Sequence, residues 1–208
     1  MDTLDYYQRN AKDFFSQTIN VDMQNVYQPF LEYLPKPHLA NQQKILDVGC
    51  GSGRDSVFFA NQGFQVVAID GSKSLIELAQ QTDTRIDWQC LRFDEIAKQS
   101  WQNQFTGIWA CASLLHVPFD ELPSILNDLL ATLESNGILY ASFKYGDSER
   151  EKDGRFFCDM NEERWQIVEN QLISAKPLKI WQTIDNRVDK QEIWWNVLMK
   201  AELLQLKQ

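Results

Sequence analysis

The stretch "KILDVGCGSGRDSVFFANQG", residues 44–63, limits the possible folds more than any other part of the chain. It is a short apolar run, then three glycines at alternate positions, then a segment with helical period. Glycine inside regular structure costs roughly 0.5–1 kcal/mol relative to alanine, so clustered glycines mark backbone that turns sharply or lies close against something. Asp55 or Ser56 stands where a helix should start and Gly63 just past where it should end. The unit reads strand, loop, helix. The same rhythm recurs in "FQVVAID", "SKSLIELAQQ" and "RIDWQC", then in "FTGIWAC", "ELPSILNDLLATLESNG" with a stop at Asn136 and Gly137, and "GILYASFKY". Such alternation implies a parallel sheet with helices on both faces, because parallel neighbours need crossovers and right-handed crossovers place the helices outside.

Upstream, Tyr6, Tyr7, Phe14 and Phe15, then Val26, Phe30, Leu31 and Leu34, fall at helical spacing and predict two helices before "PKPH" breaks the pattern. Downstream come a polar segment, "GDSEREKDGRFFCDM", a helix near "NEERWQIVENQL", and two strand-like runs, "LKIWQTIDNR" and "EIWWNVLMK". The short "VDKQ" between those runs predicts an antiparallel hairpin at the sheet edge. The chain is expected to form one domain over 1–208: a helical cap (1–40), a cofactor-binding core (41–145), and a substrate-side segment with the hairpin (146–208).

A formal charge of -9 on 208 residues argues against broad contact with nucleic acid, which needs a lysine and arginine surface. The apolar stretch from Phe105 to Phe119 is shorter than the roughly 20 residues of a membrane span and is interrupted by polar residues. The first residues carry acids and no basic lead into an apolar core, so no secretion signal and a cytoplasmic location are expected. Cys50, Cys90, Cys111 and Cys158 are too far apart for a C-x-x-C unit and read as small hydrophobes; no metal site is expected.

In an open α/β sheet the loop after the first strand is the usual ligand cradle. The nicotinamide-dinucleotide fingerprint is G-x-G-x-x-G, whereas the pattern here is D-x-G-x-G-x-G beginning at Asp47, which points to a different ligand. Asp70 ends the second strand, where a ribose-binding acid belongs. With these residues the chain resembles the class I S-adenosylmethionine-dependent methyltransferases over residues 40–200, "LDVGCGSGRDS" matching their glycine-rich motif and "VVAIDGS" their acidic one. "GCGSGRDS", "WACASLLHVP" and "SFKYG" look most like the small-molecule branch that includes tellurite-resistance methyltransferases. The resemblance implies an α/β, doubly wound, Rossmann-like, seven-stranded, mostly parallel sheet with a C-terminal antiparallel hairpin, and S-adenosyl-L-methionine as cofactor. It implies that Gly49, Gly51 and Gly53, with Cys50 among them, pass under the methionine part, and that Asp70, followed by Gly71 and Ser72, binds the ribose. Asp47 would support the loop and reach the cofactor's amino group through water. Either Phe93 or Asp94 would lie near the adenine, and Cys111, Ala112 and Ser113 at the methionine end. No N-P-P-Y motif is present. The acceptor implied is a small thiol, metalloid oxyanion, carboxylate or amine, handled by a monomer or homodimer. The alternatives are a catalytically silent cofactor-binding regulatory module and a nucleic-acid methyltransferase, the latter weakened by the absent motif and the acidic charge.

His116 in "LLHVP" is a candidate base, since imidazole titrates near pH 6.5, or equally a cap or packing residue. His38, among prolines, reads as exposed. Arg54 sits in a first helical turn, where the helix dipole disfavours a cation, which suggests pairing with a carboxylate of cofactor or substrate. Tyr7, with Tyr6, is a candidate to close over the cofactor. Lys144 and Tyr145 end the fifth strand and point to the site's mouth; Arg150 and Arg155 follow in the polar stretch, either as a lid reading an anionic substrate or as a solvated loop. Trp194 and Trp195 face opposite ways on a strand, so one at most lines a pocket.

Overall fold

The structure is a computed structural model and describes residues 3–34, 43–187 and 191–202. His38 and most of the "VDKQ" connector lie outside the described residues. Three helices, not two, open the chain: α1 (Thr3–Arg9), α2 (Ala11–Thr18) and α3 (Gln24–Tyr33). Asn10 divides the first pair because its side-chain amide donates to the carbonyl of Tyr6 at 2.8 Å, a local bond that competes with helix continuation.

The core then runs β1 (Lys44–Val48), α4 (Arg54–Asn61), β2 (Gln65–Asp70), α5 (Lys73–Ala79), β3 (Asp87–Cys90), β4 (Phe105–Ala110), α6 (Leu122–Thr132) and β5 (Leu133–Lys144). β6 (Glu149–Lys152), β7 (Arg155–Cys158), α7 (Glu162–Glu169), β8 (Ala175–Ile184) and β9 (Ile193–Ala201) complete it. The main sheet has seven strands in the order β3-β2-β1-β4-β5-β9-β8, with β1 to β5 parallel and β9 antiparallel to both β5 and β8. This is the Rossmann-like methyltransferase architecture with its terminal hairpin, as the sequence predicts.

Period-two alternation divides the strands between two cores. Leu46, Val67, Ile69, Ile108 and Leu139 face α6 and α7, while Ile45, Val66, Ala68, Trp109 and Tyr140 face α3 and α4. On the second face Trp109 stacks on Tyr140 at 4.1 Å and Phe30 of α3 meets both Phe59 and Trp109 edge-on. Gly107 is what lets α3 settle there, since a Cβ would stand 2.7 Å from the Phe30 ring.

Two boundaries differ from the sequence reading. α6 stops at Thr132, because Leu133 is buried and already pairs with Phe105; Asn136, at φ 65°, turns the chain inside an irregular start of β5. The polar stretch is not a loop but a tight hairpin, β6 against β7, with Lys152 paired to Arg155. Asp153 and Gly154 form its two-residue turn at φ 53° and 75°, both in the left-handed region that such turns need.

Candidate ligand site

The site lies at the carboxyl ends of β1, β2 and β4. The amides of Gly49 and Cys50 both donate to the carbonyl of Ile69, at 2.8 and 2.9 Å, which pins the glycine loop to the end of β2. Gly49 holds φ 72°, and a Cβ there would stand 2.4 Å from that of Ser113, so this position needs glycine for conformation and for space. Asp70 is buried and accepts from the amides of Gly51 (3.0 Å) and Ser72 (2.8 Å). Burial lifts its pKa to about 6, against the lowering effect of those two amides.

A cavity of about 560 Å3 opens beside this carboxylate, walled by Asp70, Gly71, Phe93, Asp94 and Ser113 and roofed by Leu4 of α1. Phe93 and Asp94 both line it. Ser113 Oγ is buried with no hydrogen-bond partner among the described residues, an orphan that a ligand's polar atom would satisfy. A second cavity, about 270 Å3, lies on the far side of the loop and includes Cys50, Cys111, Ser142, Lys144, Arg155 and Trp194. The two share Tyr7, Phe14, Gly49, Gly51, Ala112 and His116 as a common wall.

His116 stands at that junction. Its Nδ1 is 2.6 Å from the Phe156 carbonyl of β7 and its Nε2 is 2.9 Å from the Tyr7 hydroxyl of α1. A carbonyl can only accept, so Nδ1 carries the proton and Nε2 accepts from Tyr7. Burial, then the positive charges of Arg155 and Lys144, pull its pKa down to about 4 despite the Phe156 bond, so the ring is neutral at pH 7. Burial raises the pKa of Tyr7 although Arg155 opposes it. Phe156 also donates its amide to Thr3 Oγ1 at 2.9 Å, so the N-terminal helix and the hairpin meet above the junction.

Arg54 finds its carboxylate within the chain. Its Nε is 2.6 Å and its Nη2 3.0 Å from Asp55, which also accepts from Tyr27 (2.6 Å) and Trp109 (2.8 Å). Burial alone would raise the pKa of Asp55, yet Arg54 and these donors hold it below the usual range. The expected pairing of Arg54 with a ligand carboxylate is therefore replaced by an internal pair, though Arg54 remains on the cavity wall.

Four further positions depart from the sequence reading, and Asp47 sits behind the loop, a place that suits the supporting role expected of it. Asp47 is on neither cavity wall and accepts from Ser56, with its pKa raised by burial and by Asp55. Gly53, at φ 79°, gives its space to Trp88, whose ring would stand 2.5 Å from a Cβ, and serves packing instead of either cavity. Ser72 caps α5 by accepting from Leu75. Tyr145 is exposed with its hydroxyl toward Glu162, and Arg150 is held by Asp159 at 2.8 and 3.1 Å, and neither lines either of these two cavities. Trp194 lines the smaller cavity while Trp195 packs against Trp165 of α7, the division expected of adjacent strand residues. Phe14, Asp55 and Tyr140 are wall residues that the sequence reading did not assign. Phe14 carried a signal, since it lies seven residues after Tyr7 and the two rings meet at 5.1 Å.

The strand order and the pinned glycine loop define a Rossmann-like α/β fold with a ligand cradle at the carboxyl ends of its parallel strands. Residues 45–137 match the family described as "Methyltransferase domain". The Ubiquinone biosynthesis O-methyltransferase of Histophilus somni (strain 2336) is 31% identical over 150 residues, 67% of this chain and 61% of that protein. A second protein of that name, from Coxiella burnetii (strain Dugway 5J108-111), is 31% identical over 117 residues, 54% of this chain and 48% of its own length. The chain thus spans about half to six-tenths of these curated relatives. Among solved structures, the Burkholderia thailandensis 1,6-didemethyltoxoflavin-N1-methyltransferase, with bound 1,6-didemethyltoxoflavin and S-adenosylhomocysteine, superposes with a TM-score of 0.71 at 18% identity, covering 95% of this chain and 84% of that one. No helix among the described residues is long and apolar enough to cross a membrane.

Proposed function

We propose that the chain transfers the methyl group of S-adenosylmethionine to a hydroxyl of a small molecule. The observation that carries this reading is the shared wall: two cavities meet at a neutral histidine whose Nε2 lone pair faces the junction. The larger cavity fits the cofactor on the chain's own chemistry. Asp70 has lone pairs left for a ribose diol, Phe93 offers an apolar face for adenine, and the orphaned Ser113 hydroxyl and the side-chain-free Gly49 receive the methionine end. Once bound, the cofactor supplies a methyl group on a good leaving group.

Every other contribution comes from the chain. Gly49, Gly51 and Ala112 set the line along which acceptor and methyl approach, and alignment of this kind supplies roughly 7–11 kcal/mol of barrier lowering. An acceptor hydroxyl replaces the Tyr7 hydroxyl at His116 Nε2. The acceptor oxygen gains the methyl, its proton passes to Nε2, and the electron pair of the broken sulfur–carbon bond stays on sulfur. The O-methyltransferase names of the curated relatives support a hydroxyl acceptor. The resemblance to the tellurite-resistance-type branch keeps metalloid oxyanions and thiols in the same screen. We place the chain in the cytoplasm, as a monomer or homodimer, acting on free small molecules.

Calorimetry with S-adenosylmethionine and S-adenosylhomocysteine, with NAD as the control, tests the cofactor; both sulfur ligands bind and NAD does not. His116→Gln then lowers kcat by about 10²–10⁴-fold while leaving S-adenosylhomocysteine affinity intact, the range expected of a lost general base. Absence of binding by either sulfur ligand would end the methyl-transfer reading.

A further inference from the structure

Three cations surround the single ring of Phe157: Lys144 Nζ at 4.8 Å, and the guanidinium carbons of Arg150 and Arg155 at 5.2 and 5.3 Å. Two of them are neutralised at contact distance, Arg150 by Asp159 at 2.8 Å and Lys144 by Glu192 at 2.7 Å. Arg155 is not. Among the described residues its ion pair is with Asp153 at 3.8 Å, and Asp153 is 65% exposed at the hairpin tip, where such pairs contribute about 0–1 kcal/mol. Its Nε is buried without a hydrogen-bond partner among the described residues, although its side chain is only 22% exposed. The other arginines of the same wall are committed, Arg54 to Asp55 and Arg187 to Asp185.

Arg155 is also held in place. It is the first residue of β7, paired with Lys152 across a two-residue turn, and its guanidinium lies 4.5 Å above the Tyr6 ring. A pre-positioned guanidinium with an open buried donor is the geometry that takes a carboxylate in two parallel hydrogen bonds. It sits on the smaller cavity with Trp194, Tyr140 and Phe157, which supply aromatic surface. The chain as a whole carries a charge of -9, so this local positive excess runs against the average surface.

We propose that Arg155 is the anion-binding residue of the acceptor cavity and that the acceptor is an aromatic hydroxy acid, its carboxylate on Arg155 and its hydroxyl at His116. The proposal rests on the methyl-transfer reading. It also addresses a weakness in His116, whose basicity is lowered by burial first and then by Arg155. A carboxylate on Arg155 neutralises that charge, so the correct acceptor strengthens its own base.

The test uses the full chain loaded with S-adenosylhomocysteine. Acid and methyl-ester pairs are titrated by calorimetry: 3- and 4-hydroxybenzoate, 4-hydroxycinnamate, and their esters. At least one acid should bind about tenfold or more tightly than its ester, since a half-buried guanidinium placed to bond a carboxylate disfavours the neutral analogue. Arg155→Met should reduce the preference to about twofold or less and Arg155→Lys should keep part of it, both with S-adenosylhomocysteine affinity close to the parent's. The proposal is overturned if no acid outbinds its ester, or if Arg155→Met keeps the preference. It is equally overturned if Arg155→Met loses S-adenosylhomocysteine affinity instead, since the anion read would then be the cofactor's own carboxylate. Should the parent fail to bind S-adenosylhomocysteine, the methyl-transfer reading falls separately, and the acid and ester comparison can still be made on the unliganded chain.

Discussion

Asp70→Asn removes one charge at the end of β2 and changes little in shape. The parent carboxylate offers about four lone-pair sites, two of them taken by the Gly51 and Ser72 amides, leaving two for a ribose diol. Asparagine offers one oxygen and an NH2 group that cannot accept, so one ribose hydroxyl loses its partner and the other bonds to a neutral acceptor. A hydrogen bond to a charged group contributes about 1.5–3 kcal/mol and a neutral one about 0.5–1.5 kcal/mol, so the loss comes to about 2–4 kcal/mol. That weakens S-adenosylhomocysteine binding by roughly 30- to 1000-fold. The pH dependence separates charge from shape. With a pKa raised to about 6, Asp70 is an anion at neutral pH and takes a proton as the pH falls below that value. Parent affinity should therefore fall from about pH 7 to about pH 5, by at most about tenfold per unit, while the variant stays flat. Calorimetry across that range reads both quantities. If Asp70→Asn binds within about threefold of the parent, or if parent affinity does not change with pH, the ribose assignment is wrong.

Gly49→Ala and Gly63→Ala both force alanine into a left-handed conformation, at φ 72° and 92°, but only the first meets a neighbour, Ser113 at 2.4 Å. Urea melts should show a cost of about 1–2 kcal/mol at position 63 and a further 1–3 kcal/mol at position 49; equal costs would refute the close approach. Asp55→Asn leaves Arg54 buried without its partner and should destabilise the fold by about 3–5 kcal/mol, measured the same way; a loss under about 1 kcal/mol would show the pair to be dispensable. His116 has its folded pKa depressed to about 4 from 6.5, so its contribution to stability is present above pH 6.5 and is lost as the pH falls toward 4. Acid melts of His116→Gln should lack that part of the decline between about pH 6.5 and about pH 4, and an unchanged acid slope would contradict the burial of a neutral ring.

The parallel core was legible because its signals are local: apolar runs, glycine stops and an acid at the end of β2 each act within a few residues. The departures come from contacts that chain order does not display. Trp88 fills the space beside Gly53 from β3, and no pattern around either residue announces it. Arg54 looked like a ligand-seeking cation because the dipole argument ignores its neighbour in the chain, and Asp55 neutralises it at 2.6 Å. The hairpin did carry a sign, the Asp153-Gly154 pair, but Glu149 to Lys152 are all charged, so the alternation that usually accompanies such a turn was absent. The break at Asn10 was hidden for the opposite reason: Tyr7 and Phe14 keep helical phase across it.

Asp55 has a consequence for motion. Its carboxylate takes four donor atoms from three separate elements, Tyr27 of α3, Arg54 of α4 and Trp109 of β4. Pulling α3 away would strand a buried charge, and that side of the smaller cavity is accordingly rigid. α1 is different: it has no fully buried residue, and neutral hydrogen bonds fasten it, the Phe156 amide donating to Thr3, Tyr7 bonding His116, and Ser72 and the Ser74 amide donating to Gln8, beside the Arg155 guanidinium over the Tyr6 ring. The two cavities are thus bounded on one side by a helix held through neutral bonds and on the other by a wall tied to one buried carboxylate.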